Sequence, residues 1–223
     1  MNILITAATD QEISPVKILI ERFKDVLEEK GLKFHFLVIG VGLHSSIFKL
    51  LDYLHQFRVD HCINLGIAGS FKKEIKIGEV CYIVSDQFGD FGAEDDGGNF
   101  MDIFELGLVD ENAFPFNKKV LTNKYNFHDN TIRKVSSSTV QKVLGEANQI
   151  QKFINKYPDV DIENMESGAI FYVCLQKNIP FQCFRSISNY VEPRNRQNWR
   201  IDLAVENLTS YLGHYLDYWI KQL

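Results

Sequence analysis

Short apolar runs bounded by turn residues alternate along this chain with stretches in which apolar side chains recur every three or four positions. These are the two periods that separate buried strands from amphipathic helices. Residues 2–8 (NILITAA) form a continuous apolar run ending in small residues, the pattern of a strand covered on both faces. A helix is expected next, with Ser14 as N-cap, Pro15 at the first helical position, and Ile18, Leu19, Phe23, Val26 and Leu27 carrying its stripe as far as Gly31. FHFLVIGVG reads as a second strand. Residues 44–57 read as a helix whose Ile47, Leu50, Leu51, Leu54 and Phe57 share one face.

The alternation continues. HCINLGIAG, EVCYIVSD and KVSSSTV read as strands, ENMESGAIFYVCLQK as a helix, and FQCFRSIS as a further strand. A long closing helix carries Leu208, Tyr211, Leu212, Tyr215, Leu216, Trp219 and Ile220. Strands alternating with helices imply an α/β fold in which helices flank a central mixed, mostly parallel sheet. At 223 residues with no visible linker, one domain over 1–223 is expected. Residues 87–117 break the pattern, being rich in Gly, Asp and Phe. Their acidic residues miss the ligand positions of a calcium loop, so a solvated or subunit-contacting loop is expected, and Phe88, Phe91, Phe100 and Phe104 favour contact.

Composition narrows the function classes. With 24 Lys plus Arg against 29 Asp plus Glu, the formal charge of −5 disfavours a duplex nucleic-acid binder and suits a small-molecule partner. The four cysteines are dispersed in apolar runs, the amino-terminal residues lack a secretory pattern, and no apolar run would span a bilayer. A cytoplasmic, membrane-free protein is expected. The six histidines show no metal-ligand spacing, so no metal is expected, and Gly40-Val41-Gly42 lacks the third glycine of a dinucleotide fingerprint, so no such cofactor is expected.

The candidate chemistry lies just beyond strand ends. Glu12 follows the first strand, the Gly66–Ser70 turn follows the third, and Ser188-Asn189 close the FQCFRSIS strand. An open α/β sheet places its ligands on this rim. The carboxamide of Asn189 presents a donor and an acceptor in one plane, matching two adjacent atoms of a heterocycle. Beyond it, Arg194 and Arg196 near Trp199 can pair a planar anion or remain solvated. Glu166, with Asn164 as N-cap, can act on a ligand or only complement the dipole of its helix.

Read together, these segments resemble the purine nucleoside phosphorylase and nucleosidase superfamily, in particular the branch holding methylthioadenosine/S-adenosylhomocysteine nucleosidase and futalosine hydrolase. ITAATDQEI is similar to its opening strand and catalytic glutamate, LGIAGSF to its substrate-cradling turn, ENMESGAI to its Met-Glu ribose clamp, and RSISN to its base-recognition strand end. The resemblance covers nearly the whole chain. VEPRNRQNW is similar to futalosine hydrolases, which release hypoxanthine from futalosine in menaquinone synthesis. It implies a homo-oligomeric, cofactor-free hydrolase with Glu12, Glu166 and Asn189 catalytic. Ile67, Ala68, Gly69, Val140, Met165, Arg194 and Arg196 would contact the substrate.

Adenine-specific nucleosidases of that superfamily carry aspartate where this chain has Asn189. An amide can donate to a 6-oxo group while accepting the hydrogen on the neighbouring ring nitrogen, which favours hypoxanthine over adenine. Adenine nucleosidase, nucleoside phosphorylase and a non-catalytic nucleoside sensor stand as the alternatives.

Overall fold

The computed structural model describes residues 1–125, 129 and 131–222, and the side chains of residues 219–222 lie outside the described ones. The strands are β1 (Asn2–Ala7), β2 (Lys33–Val38), β3 (His61–Ser70), β4 (Val80–Phe88), β5 (Gly92–Glu94), β6 (Phe100–Asp102), β7 (Phe116–Asn117), β8 (Val120–Thr122), β9 (Arg133–Thr139), β10 (Ile162–Asn164) and β11 (Phe181–Tyr190). The helices are α1 (Asp10–Glu21), α2 (Lys24–Glu29), α3 (Leu43–Gln56), α4 (Ala147–Lys156), α5 (Ser167–Lys177) and α6 (Ile201–Gln222).

The main sheet runs β2-β1-β3-β10-β9-β4-β8-β7, and β11 pairs with both β3 and β4. Strands β3, β10, β9, β4 and β11 therefore close on themselves as a five-stranded barrel, with β1–β2 and β8–β7 as extensions. Five of the nine pairings are parallel and four antiparallel. The sheet is mixed, as expected, but parallel pairing does not dominate it, because β10 runs against β3 and β11 against β4 where the barrel closes.

Two apolar layers cover the sheet. On one side Ile13, Val16 and Ile20 of α1 meet Leu208, Leu212, Tyr215 and Leu216 of α6 over Ile3, Ile5 and Phe184. On the other, Leu50 of α3 packs with Ile170, Phe171, Val173 and Cys174 of α5 over Leu4, Cys62 and Ile83. Each such fully buried side chain contributes roughly 1.5–3 kcal/mol of hydrophobic stabilisation. Helix α5 is buried almost throughout, from Ser167 to Leu175. It therefore has little amphipathic contrast, unlike a surface helix.

Three local departures from expectation bear on function. Helix α1 is capped by Thr9 rather than Ser14, because Thr9 and Glu12 form a reciprocal capping box that satisfies the helix entry five residues earlier; Pro15 consequently falls inside the helix. The ENMESGAI segment is not wholly helical, since residues 162–164 pair with β3 and β9 before α5 begins. In the 87–117 region, β5 and β6 form a hairpin, and Phe88, Phe104 and Phe116 pack edge to face, so several of its phenylalanines contact the chain itself. The turn between β7 and β8 uses Lys118 and Lys119, both at positive φ (49° and 70°), where a sequence reader would look for Asn-Gly. No helix among the described residues is long and apolar enough to cross a membrane.

Candidate active site

The capping box that starts α1 also immobilises Glu12. Its Oε2 accepts from Thr9 N (3.0 Å) and Thr9 Oγ1 (2.7 Å), and its Oε1 accepts from Ile67 N at 3.2 Å. One carboxylate thus ties the end of β1 to the glycine-bearing end of β3. At 7% exposure it is nearly closed off from bulk water. These bonds hold it in a single orientation.

Glu166 reaches the same place from the start of α5. Its Oε1 accepts from Gly42 N at 3.0 Å, and its own N–H donates to Asn164 Oδ1 at 2.9 Å, as does Ser167 N at 2.6 Å. Asn164 therefore caps α5 with its side chain, while the residue in the cap position is Glu166 itself. Gly42 has φ +84°, a conformation that side chains other than glycine rarely adopt, and this aims its N–H at Glu166. Burial raises the Glu166 carboxyl; Arg185 and the Gly42 N–H oppose that shift, and the Glu12 charge adds to it.

Behind Glu166 lies a buried polar network absent from the sequence reading. Arg185, 1% exposed, donates to Asn64 Oδ1 (2.8 Å), Phe184 O (2.9 Å) and Asn164 Oδ1 (3.4 Å). Asp86 Oδ2 accepts from Ser137 Oγ, from Thr139 Oγ1 at 3.0 Å and from Asn164 Nδ2 at 3.4 Å. Burial pushes the Asp86 carboxyl up to about 7 against the pull of those hydrogen bonds and of Arg185. An arginine inside the fully buried run FQCFRSIS was the visible signal, since such a charge needs partners.

Asn189 stands at an irregularity in β11, where the register against β3 shifts between Ile187 and Asn189. Its Oδ1 accepts from Ser188 Oγ (2.8 Å) and its Nδ2 donates to Tyr190 O (3.0 Å), which fixes the amide plane. One N–H and one carbonyl lone pair remain for a ligand.

Glu12, Glu166 and Asn189 line one cavity of about 470 Å³, together with Ile67, Ala68, Gly69, Met165, Arg194, Arg196 and Trp199. The Arg194 and Arg196 guanidinium groups lie 5.4 and 5.8 Å from the Trp199 ring, so a single indole supports both cations. Val140, expected to contact the substrate, is buried with Phe153 and Val160, and the nearby residues that line the cavity are Val143 and Leu144. All three lie beyond the end of β9 and belong to one apolar cluster with Phe153 and Val160, and of the three Val143 and Leu144 line the cavity.

The residues matching the sequence profile of the phosphorylase superfamily are 11–217. The chain belongs to that superfamily. Among superfamily relatives, a 5'-methylthioadenosine/S-adenosylhomocysteine nucleosidase of Buchnera aphidicola is 27% identical over 232 residues, 94% of this chain and 93% of the relative. The S-adenosylhomocysteine nucleosidase of Streptococcus pyogenes, solved with 5-methylthiotubericidin, superposes with a TM-score of 0.75 at 17% identity, over 98% of this chain and 97% of that one. A futalosine hydrolase mutant of Helicobacter pylori superposes with a TM-score of 0.74 at 14% identity, over 98% and 99%. These superpositions show a shared nucleoside phosphorylase-like α/β fold.

Glu163 also lines this cavity and was not singled out from the sequence. Burial pushes its carboxyl up to about 7, with the Leu144 N–H opposing and the Asp90 charge adding. A carboxyl raised on folding favours the native state while protonated, below its unfolded value near 4.5, and that advantage disappears as pH climbs through about 7. Glu163→Gln cannot ionise. It is expected to flatten the fall in stability across that window by on the order of 3 kcal/mol, read from urea midpoints against pH. A slope identical to that of the wild type would show that Glu163 is not held in this state.

Proposed function

We propose that this chain is a nucleosidase that hydrolyses the N-glycosidic bond of purine ribosides. The observation that carries the reading is the convergence of Glu12, Glu166 and Asn189 on one cavity. Glu12, held by Thr9 and Ile67, orients and deprotonates the attacking water. Glu166 holds the ribose hydroxyls and favours the positive charge that develops on the sugar, and Asn189 meets the departing base. The names of the relatives support hydrolysis. Phosphorolysis is disfavoured by charge, since the partners of Glu12 are Thr9 and Ile67 with no cation among them, and its carboxylate would repel a phosphate dianion.

Two base specificities have support of different kinds. The methylthioadenosine/S-adenosylhomocysteine nucleosidases among the relatives favour an adenine nucleosidase, and they weigh more on that side than the Helicobacter pylori futalosine hydrolase does on the other. The chain's own side chains favour futalosine. The free N–H of the Asn189 amide suits the 6-oxo group of hypoxanthine, and Arg194 with Arg196 suits the carboxylate of a carboxyphenyl arm. We take futalosine as the substrate on that observation. Incubation with futalosine, inosine and methylthioadenosine, with and without phosphate, separates the readings by the base released. Hypoxanthine from futalosine without phosphate, faster than from inosine, is expected. Adenine from methylthioadenosine alone would transfer the assignment to the adenine nucleosidase, and release only with phosphate to a phosphorylase.

A further inference from the structure

Glu163 and Asn189 are both register partners of Gly69, one from β10 and the other from β11, on either side of β3. A Cβ built on Gly69 would stand 3.1 Å from Asn189 Nδ2 and 3.5 Å from Glu163 Cγ, so the two side chains approach the same point. Val191 Cγ2 stands 3.0 Å from that same point, so the absence of a side chain at Gly69 is what lets the three side chains converge there without a clash. Glu163 is 5% exposed and lines the cavity, yet its one hydrogen bond within the described chain is a long one, from Leu144 N to Oε2 at 3.4 Å. A carboxyl that lines an open cavity with so little hydrogen bonding from its own chain keeps acceptor capacity for a donor on a ligand.

We propose that Glu163 is a second base-recognition residue, accepting the N1–H of a 6-oxopurine whose 6-oxo and N7 edge faces Asn189. It rests on the 6-oxopurine reading given above. The chemistry is one of matched edges. A 6-oxopurine carries a hydrogen on N1, next to the oxo group, whereas a 6-aminopurine presents a lone pair there. An ionised Glu163 therefore attracts the first and repels the second, at a position adjacent to the one Asn189 reads. Two independent contacts on neighbouring atoms give discrimination that one amide cannot reach alone.

Hypoxanthine, adenine and 1-methylhypoxanthine are titrated calorimetrically at pH 8.5, above the value to which the Glu163 carboxyl is raised. The wild type is expected to prefer hypoxanthine over adenine and to lose about tenfold or more in affinity when N1 is methylated. In Glu163→Gln the amide can present either its carbonyl or its NH2 to N1. The hypoxanthine-to-adenine ratio is expected to fall about tenfold, with adenine binding unchanged or tighter. A purely structural role would weaken both bases in parallel, and that result overturns the proposal. So does a wild type that prefers hypoxanthine while binding 1-methylhypoxanthine equally well, a test that needs no variant to fold. A wild type that binds neither base, or prefers adenine, overturns the 6-oxopurine reading and this inference with it.

Discussion

Glu12→Gln is expected to lower kcat by about a thousandfold or more while leaving base and nucleoside binding measurable, because the variant keeps the shape of the side chain and loses only its capacity to take a proton. The geometry adds a second, separable effect. The native carboxylate accepts from three donors, Thr9 N, Thr9 Oγ1 and Ile67 N. A carboxamide has one accepting oxygen, so its NH2 must face either Thr9 N or Ile67 N, donor against donor. Loss of that match weakens the α1 cap, by about 1 kcal/mol for a typical N-terminal cap. Thr9→Val provides the control, since it damages the same capping box and leaves the carboxylate. If Glu12 is the base, single-turnover rates in Glu12→Gln collapse while those in Thr9→Val fall far less. Equal losses in the two variants would assign Glu12 a positioning role, and near-full activity in Glu12→Gln would remove it from the mechanism.

The second large effect is expected at Asn189. Replacement by Asp should move the kcat/KM preference from 6-oxopurine towards 6-aminopurine nucleosides by about 10- to 100-fold, the range for one buried hydrogen bond lost on one substrate and restored on the other. The variant should also be slower overall. The Nδ2 of Asn189 donates to Tyr190 O at 3.0 Å, so an aspartate would set a carboxylate oxygen against a carbonyl oxygen. That clash is relieved by protonation or by rotation away from Ser188. A protonated carboxylic acid facing the base donates to the accepting N7 of adenine, which is the physical reason for the switch. Competition assays with an inosine-type and an adenosine-type substrate in one vessel read the ratio directly. A ratio equal to that of the wild type would show that Asn189 does not choose the base.

Much of the site was legible because its members follow strand ends that composition and period mark clearly. Glu12, Ile67, Ala68, Gly69, Met165, Glu166, Asn189, Arg194 and Arg196 all line the cavity, most at or just beyond an element boundary, although Ile67, Ala68 and Gly69, expected in a turn, are paired residues of β3, which runs on to Ser70. Val140 is the one expected site residue that does not line the cavity. Position relative to a strand end places a residue near the rim, but at Thr139 the strand stops and the next side chain turns inward to Phe153 and Val160. Glu163 was missed because β10 is only three residues long, too short for a period of two to show against the helical pattern that follows. Asp86 and Arg185 were missed because a charged residue inside an apolar strand does not announce its partners.

The amino-acid sequence by itself determined the alternation of strands and helices, the apolar face of α6 and most of that of α3, and the presence of two glutamates, an amide and two arginines near strand ends. Those properties depend on side-chain periodicity and on local turn chemistry, which act within a few residues. The sequence misplaced the face of α1, which buries Ile13, Val16 and Ile20 and leaves Ile18, Phe23 and Val26 exposed, the helix breaking before Phe23. Only the tertiary structure decided that β10 runs antiparallel to β3 and closes a barrel with β9, β4 and β11. The same closure brings Glu163 and Asn189 to Gly69 from opposite sides, and sets Arg185 and Asp86 behind Asn164. Strand register across a closed sheet is a long-range property: it follows from which backbone groups find partners after collapse, and no local pattern records it.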